Sequence, residues 1–403
     1  MLPLLAVAKQ VLRCCVSRRR LPEWDVRMRA EMGVVHDIVN RQFRESTDDD
    51  LDSIDYARVQ EEYLSHPIPA MWMGFWVARH RAHCIPTGET GLSPDALAGL
   101  GFAGDMFRDV ATADKGAGRM LPFEIVAPWT CCKRNGVACR DPRLLEPAPL
   151  HKDEKIFLAF HGGWYVLGSP ASHRRMLGQV ARAAGMRAFA VDYRLAPLHP
   201  FPAQLHDALL AFHHLVRLGH APKNIVLLGD SAGGHLCVDL LLALRHIRQT
   251  TTGPDAGMPG AAVLLSPLTT LTLSGASLSK NKQFDYIFPI PVEWPTSPIR
   301  MFFKPGQRCT QAYREQLAHP LLALERADLS GLPPVLIQSG DKEVLIDDIR
   351  EFAARLAEQN PGPGAVVSEE YQNMVHVFHH FVHRPEAKRA AAAIAQFVEQ
   401  SVD

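Results

Sequence analysis

Four consecutive apolar residues, Ile225 to Leu228, run directly into Gly229-Asp230-Ser231-Ala232-Gly233, and an apolar-rich stretch of helical length, Leu236 to Ile247, follows. The first run does not alternate, so it reads as a short strand buried on both faces. A Gly-x-Ser-x-Gly pentapeptide between a strand and a helix makes a sharp, strained turn. Side chains two before and two after the serine would collide there, and glycine removes them. The turn pushes the Ser231 hydroxyl out at the carboxyl end of the strand. The N-terminus of the following helix faces it and favours developing negative charge. This is the pattern of a nucleophile elbow. The plainer reading is a strand-to-helix turn with a serine cap.

The surrounding sequence repeats the same alternation. Short apolar runs at Ile156–Phe160, Arg187–Val191, Ala261–Leu265 and Pro334–Gln338 predict strands, and Val366–Tyr371 reads as a last one. Stretches of helical spacing at 174–184, 203–218, 347–359 and 386–399 fall between and after them. Buried strands alternating with helices predict an α/β fold, a mostly parallel, doubly wound sheet covered on both faces. Ligands and chemistry in such sheets sit at the carboxyl ends of the strands. A chain of 403 residues is long enough for one large domain of this kind with additions.

A serine hydroxyl needs a base, and the base needs an orienting carboxylate. His376 follows the Val366–Tyr371 strand within Asn373-Met374-Val375-His376-Val377-Phe378, where a loop can carry an imidazole to the elbow. The acid must come from Gly340 to Asp348, after the Pro334–Gln338 strand, which offers Asp341, Glu343, Asp347 and Asp348. The last two look like helix caps. Spacing does not choose between Asp341 and Glu343. Donors for an oxyanion are expected from the backbone of Gly162, Gly163 and Trp164, in His161-Gly162-Gly163-Trp164, and of Ala232 after the serine.

Lys plus Arg and Asp plus Glu both number 43, so the chain lacks the basic excess that nucleic acid requires. Eight cysteines without a regular framework point to reduced thiols and an intracellular setting. Cys131, Cys132 and Cys139 have no matching histidine or second cysteine pair for zinc. His376, His379, His380 and His383 share a helical face, but no acidic ligand is interleaved, so metal is not expected. Residues 1–20 join an apolar run, Cys14-Cys15 and Arg18-Arg19-Arg20, a segment that suits a docking helix or contact with an anionic membrane surface. Residues 21–150 show no clear alternation. Within them, Ile68 to Val77 is rich in Trp, Phe and Met, the material of an adaptable apolar wall or of ordinary core. Asp141 to Pro149 carries three prolines and looks like the lead into a main domain at 151–403.

With these motifs assembled, the chain resembles the hormone-sensitive-lipase-like esterases, the third α/β-hydrolase group. The likeness rests on His161 to Trp164, Asp192-Tyr193-Arg194-Leu195-Ala196-Pro197, Gly229 to Gly234, Gly340 to Asp348 and Met374 to Phe378, in that order. Residues 264–287 look nearest to fungal-type members, which include steryl acetyl hydrolases. The resemblance implies an α/β-hydrolase fold with residues 21–150 as a helical cap, Ser231 as nucleophile and His376 as base. It aligns Glu343-Val344-Leu345-Ile346-Asp347 with the family's Asp-Pro-Leu-x-Asp. That makes Glu343 the expected acid and Asp341 the second choice. The family usually has a third glycine where Trp164 stands, which implies a narrower acyl pocket. The implied function is hydrolysis of apolar, short-acyl esters through an acyl-enzyme, without metal or organic cofactor. An amidase using the same three residues and a non-catalytic small-molecule binder are the alternatives.

Overall fold

The computed structural model describes residues 54–59, 79–89, 92–250, 257–287 and 290–402, together with Met28 and Met32. The N-terminal segment 1–20 and the aromatic stretch Ile68 to Val77 lie outside the described residues. One sheet of eight strands organises the rest: β1 Arg79–Pro86, β2 Met120–Ala127, β3 Ile156–Phe160, β4 Arg187–Val191, β5 Ile225–Asp230, β6 Ala261–Leu265, β7 Val335–Gly340 and β8 Val366–Tyr371. Their order across the sheet is β1-β2-β4-β3-β5-β6-β7-β8. From β4 to β8 every pairing is parallel, while β1 and β2 join antiparallel at one edge.

Strand periodicity divides the core into two layers. Ile156, Leu158 and Phe160 of β3, with Ile225 and Leu227 of β5, face a layer completed by α1 Gly101–Ala117, α3 Ala203–Arg217, α4 Ala232–Thr250 and α5 Ile346–Gln359. Phe157 and Ala159, with Val226 and Leu228, face the opposite layer, built on α2 Pro170–Ala184 and α6 Pro385–Ser401. Because both faces are covered, these strands read as unbroken apolar runs in the sequence. Helix α2 shows how local chemistry sets the bounds. Ser169 and Ser172 form a capping box, Pro170 sits in the first turn, and Gly185 closes the other end in the left-handed conformation.

The structure departs from the sequence reading of residues 21–150 as cap and lead-in alone. The stretch 79–127 supplies two sheet strands and the helix between them, so the sheet does not begin at residue 151. Strand β1, Arg-His-Arg-Ala-His-Cys-Ile-Pro, is an edge strand with mostly exposed side chains; its polarity hides it from an apolar-run search. The Pro-rich stretch before residue 150 is tied to the sheet. Arg187, fully buried on β4, donates to both carboxylate oxygens of Glu154 at 2.7 and 2.6 Å, and to the carbonyls of Glu146 and Ala148. Cys131 and Cys132 are buried against Leu144, whereas Cys139 is exposed.

Candidate active site

The site is assembled at the carboxyl ends of β3, β5, β6 and β7 and in the loop after β8. Ser231 stands between β5 and α4 with φ 52°, a left-handed conformation that a non-glycine residue adopts under constraint. A Cβ on Gly229 would run into the backbone of Gly233, the collision expected two residues either side of the serine. The turn is tied to the next strand: Ser231 N donates to Leu265 O at 2.9 Å, and Leu268 N donates back to Ser231 O at 3.0 Å.

Glu343, fully buried, lies just past the end of β7. Its Oε2 is 2.9 Å from Nδ1 of His376, while Oε1 accepts from Gly340 N at 2.7 Å and from Ser266 Oγ at 3.1 Å. Asp341 faces elsewhere. It pairs with Lys342 at 2.8 Å and accepts from Asn373 N, which braces the loop leading to His376. Asp347 and Asp348 lie in the first turn of α5, where Asp347 accepts from Ser277 N rather than capping the helix. The structure therefore brings Glu343, and none of the other three carboxylates, to the imidazole.

Ser266, just past the end of β6, is not singled out by the sequence reading. Fully buried with φ 45°, it donates to Glu343 and accepts from Val377 N at 3.0 Å. Leu265 and Ser266, neighbours at the end of β6, thus hold the Ser231 turn and the His376 loop respectively. Burial works to lower the His376 pKa. The hydrogen bond and charge of Glu343, with the charges of Asp285 and Asp230, outweigh it and hold the imidazole above its ordinary value.

Gly162, Gly163 and Trp164 follow β3, which pairs with β5, so they sit beside the elbow and Ala232, the first residue of α4. Gly163 has φ 120°, while Trp164 and Tyr165 are left-handed at 56° and 65°. A glycine in place of Trp164 would adopt that conformation without cost, which gives a physical reason for the third glycine usual here. The strained loop is anchored on both sides. Tyr165 Oη lies 2.7 Å from Nδ1 of His235 on α4, and Tyr193 Oη donates to His161 O at 2.6 Å.

The four histidines from 376 to 383 do not converge. His379 Nε2 lies 3.1 Å from Gln338 Oε1, and the His380 ring meets His173 edge-on. Among the described residues, His173, Asp230 and His380 do place three donor atoms within 4.8 Å of one another. There the hydrogen bond of His173 Nε2 to Asp230 Oδ2, at 3.2 Å, already answers the buried carboxylate. Burial raises the Asp230 pKa, but the neighbouring histidines bring it down to about 2.

Residues 157–380 match the profile of the alpha/beta hydrolase fold family. The chain is 37% identical over 255 residues to an acetyl-hydrolase of Streptomyces hygroscopicus, an overlap of 62% of this chain and 77% of the relative. It is 34% identical over 248 residues to an esterase of Acinetobacter venetianus, covering 60% and 74% of the two chains. Among solved structures, an esterase from the bacterial hormone-sensitive lipase family superposes with a TM-score of 0.59 at 28% identity, covering 93% of this chain and 98% of that one.

Proposed function

The chain belongs to the alpha/beta hydrolase fold family, among the esterases related to hormone-sensitive lipase, and from that premise we propose that it hydrolyses apolar carboxylic esters with short acyl groups through Ser231, His376 and Glu343. The observation that carries this reading is the buried Glu343–His376 pair, delivered by two loops to the strand end that also holds the Ser231 turn.

In the proposed reaction the Ser231 hydroxyl oxygen attacks the ester carbonyl carbon as its proton passes to Nε2 of His376. Glu343 accepts from Nδ1–H, fixes the tautomer and stabilises the imidazolium. Backbone N–H groups of Gly162, Gly163, Trp164 and Ala232 are the donors for the tetrahedral oxyanion. Removing one such donor typically costs roughly 10²–10³ in rate. Collapse breaks the ester C–O bond, and the alcohol leaves with the proton from His376. Water then attacks the acyl-Ser231 by the same route in reverse, with His376 again as base. The residues supply nucleophile, base, acid and oxyanion donors among themselves, so this reaction calls for no cofactor or metal.

Trp164 is partly buried against the core in the loop beside the nucleophile turn, and the proposed reading gives it the acyl side of the site, which its indole would narrow. A panel of p-nitrophenyl esters tests the substrate class, with a matched anilide for the amidase alternative. Acetate and butyrate are expected to give higher kcat/KM than octanoate, and the anilide the lowest value. Trp164→Gly is expected to raise kcat/KM for octanoate by about tenfold or more. A chain-length profile that Trp164→Gly leaves unchanged would remove Trp164 from the acyl pocket. An anilide turned over faster than its ester would favour the amidase. Among the described residues, no helix is long and apolar enough to cross a membrane.

A further inference from the structure

Asp285 lies beyond β6, between the short helices Ser277–Lys280 and Pro298–Phe303, and is fully buried. Its Oδ1 accepts from Tyr286 N at 2.8 Å and from His376 N at 3.3 Å, while Oδ2 accepts from Val344 N at 2.8 Å. Val344 immediately follows Glu343, so one side chain bridges the backbone of both loops that carry the acid–base pair. It does so from a segment that contributes neither member. We propose that Asp285 is a positioning residue for the hydrolysis, one that locks the Glu343 and His376 loops in register and presents a second negative charge to the imidazole. The inference rests on the reading of Ser231, His376 and Glu343 as the reacting residues.

The chemistry of the contacts calls for a carboxylate. Three backbone N–H groups converge on two oxygens, and a carboxylate is acceptor-only. An asparagine would aim its own NH₂ at one of those donors. Keeping such a group in a dry interior is costly, which argues for a task. Burial, reinforced by the charge of Glu343, pushes the Asp285 pKa up to about 7, against the opposing pull of His376 and the backbone N–H groups.

The groups around His376 fix the sign of the expected pH effect. Glu343, Asp285 and Asp230 all favour the imidazolium. His379 and His380 are held neutral by burial, with pKa values near 3, and add no charge at working pH. The Tyr286 ring sits 6.1 Å from the imidazole, and burial holds its hydroxyl neutral. Asp341 is engaged by Lys342. Asp285 carries that charge once its own carboxyl ionises, at a pKa of about 7, so removing it disfavours the imidazolium over the part of the acid limb near and above that pH. His376 then loses its proton at lower pH, and the acid limb of kcat/KM moves down.

The test is the pH profile of p-nitrophenyl acetate hydrolysis by the full-length enzyme and by Asp285→Asn. The expected result is a fall in kcat of about 10- to 100-fold, within the range of a disturbed general base. KM should stay within about twofold, and the acid limb should shift down by about half a pH unit or more. An unchanged kcat, or a fall in kcat with an unmoved limb, overturns the proposal; the latter marks a merely structural side chain. If Asp285→Asn does not fold, Asp285→Ser, which is smaller and admits a water, carries the same expected limb shift. In the unaltered enzyme the Val344 and His376 amides should be strongly protected from hydrogen exchange, and unprotected exchange also overturns the proposal. Failure of the underlying reading looks different: Ser231→Ala would then retain activity whatever Asp285 does.

Discussion

Ser231→Ala is expected to lower kcat for p-nitrophenyl acetate on the order of 10⁶-fold, to near the uncatalysed background, while leaving the fold intact. The substitution removes one oxygen and keeps the Cβ. The bonds that shape the turn are made by the backbone of residue 231, to Leu265 and from Leu268 and His235, so an alanine keeps them. The strain at φ 52° is also common to both residues, since each carries a Cβ. Stability should therefore change by less than about 1 kcal/mol, as for a substitution that creates no large cavity and strands no buried charge. Initial rates corrected for spontaneous hydrolysis, read beside a thermal unfolding curve, check both halves. Retention of more than about a hundredth of the activity would be incompatible with Ser231 as nucleophile.

Glu343→Gln should cost on the order of 10⁴-fold in kcat, whereas Asp341→Asn should stay within about tenfold of the parent. Glutamine keeps the shape of the side chain but loses the charge that answers the imidazolium. Its amide must also satisfy Gly340 N and Ser266 Oγ on one side and His376 Nδ1 on the other, with one acceptor oxygen instead of two. The wrong imidazole tautomer or a displaced ring results. The sign of the pH effect follows from the same contacts. Glu343 helps hold the His376 pKa up, so its neutralisation moves the acid limb of the residual activity to lower pH. Asp341 meets Lys342 and Asn373 N instead, and its loss loosens the approach to His376 without discharging the pair. Steady-state rates of both variants over a common pH range make the comparison. Equal losses in the two would contradict the assignment of the acid.

The inner sheet was readable from the sequence because strands covered on both faces must be apolar throughout. Ile156–Phe160, Arg187–Val191 and Ala261–Leu265 appear with those bounds in the structure. The edge strand β1 was not, because one that faces solvent keeps arginines and histidines that resemble a loop. The elbow announced itself through glycines whose absence would force a backbone collision. Between Asp341 and Glu343, two residues apart on one loop, spacing was silent. Only the alignment with related esterases favoured Glu343, and the structure places that carboxylate 2.9 Å from His376. Ser266 and Asp285 were beyond reach for another reason. Each acts by bridging loops brought together by the sheet order, and nothing in their immediate neighbours marks a serine or an aspartate for such a task. Trp164 was noticed as a departure from glycine. That it and Tyr165 both adopt the left-handed conformation required coordinates.

The most direct measurement is covalent labelling of the full-length protein with an active-site-directed fluorophosphonate, followed by peptide mass mapping. The proposed arrangement predicts one phosphonyl group per chain, attached at Ser231, formed quickly in the parent, slowly in Glu343→Gln and not at all in Ser231→Ala. A label on another residue, or a parent protein that stays unlabelled while folded, would contradict it.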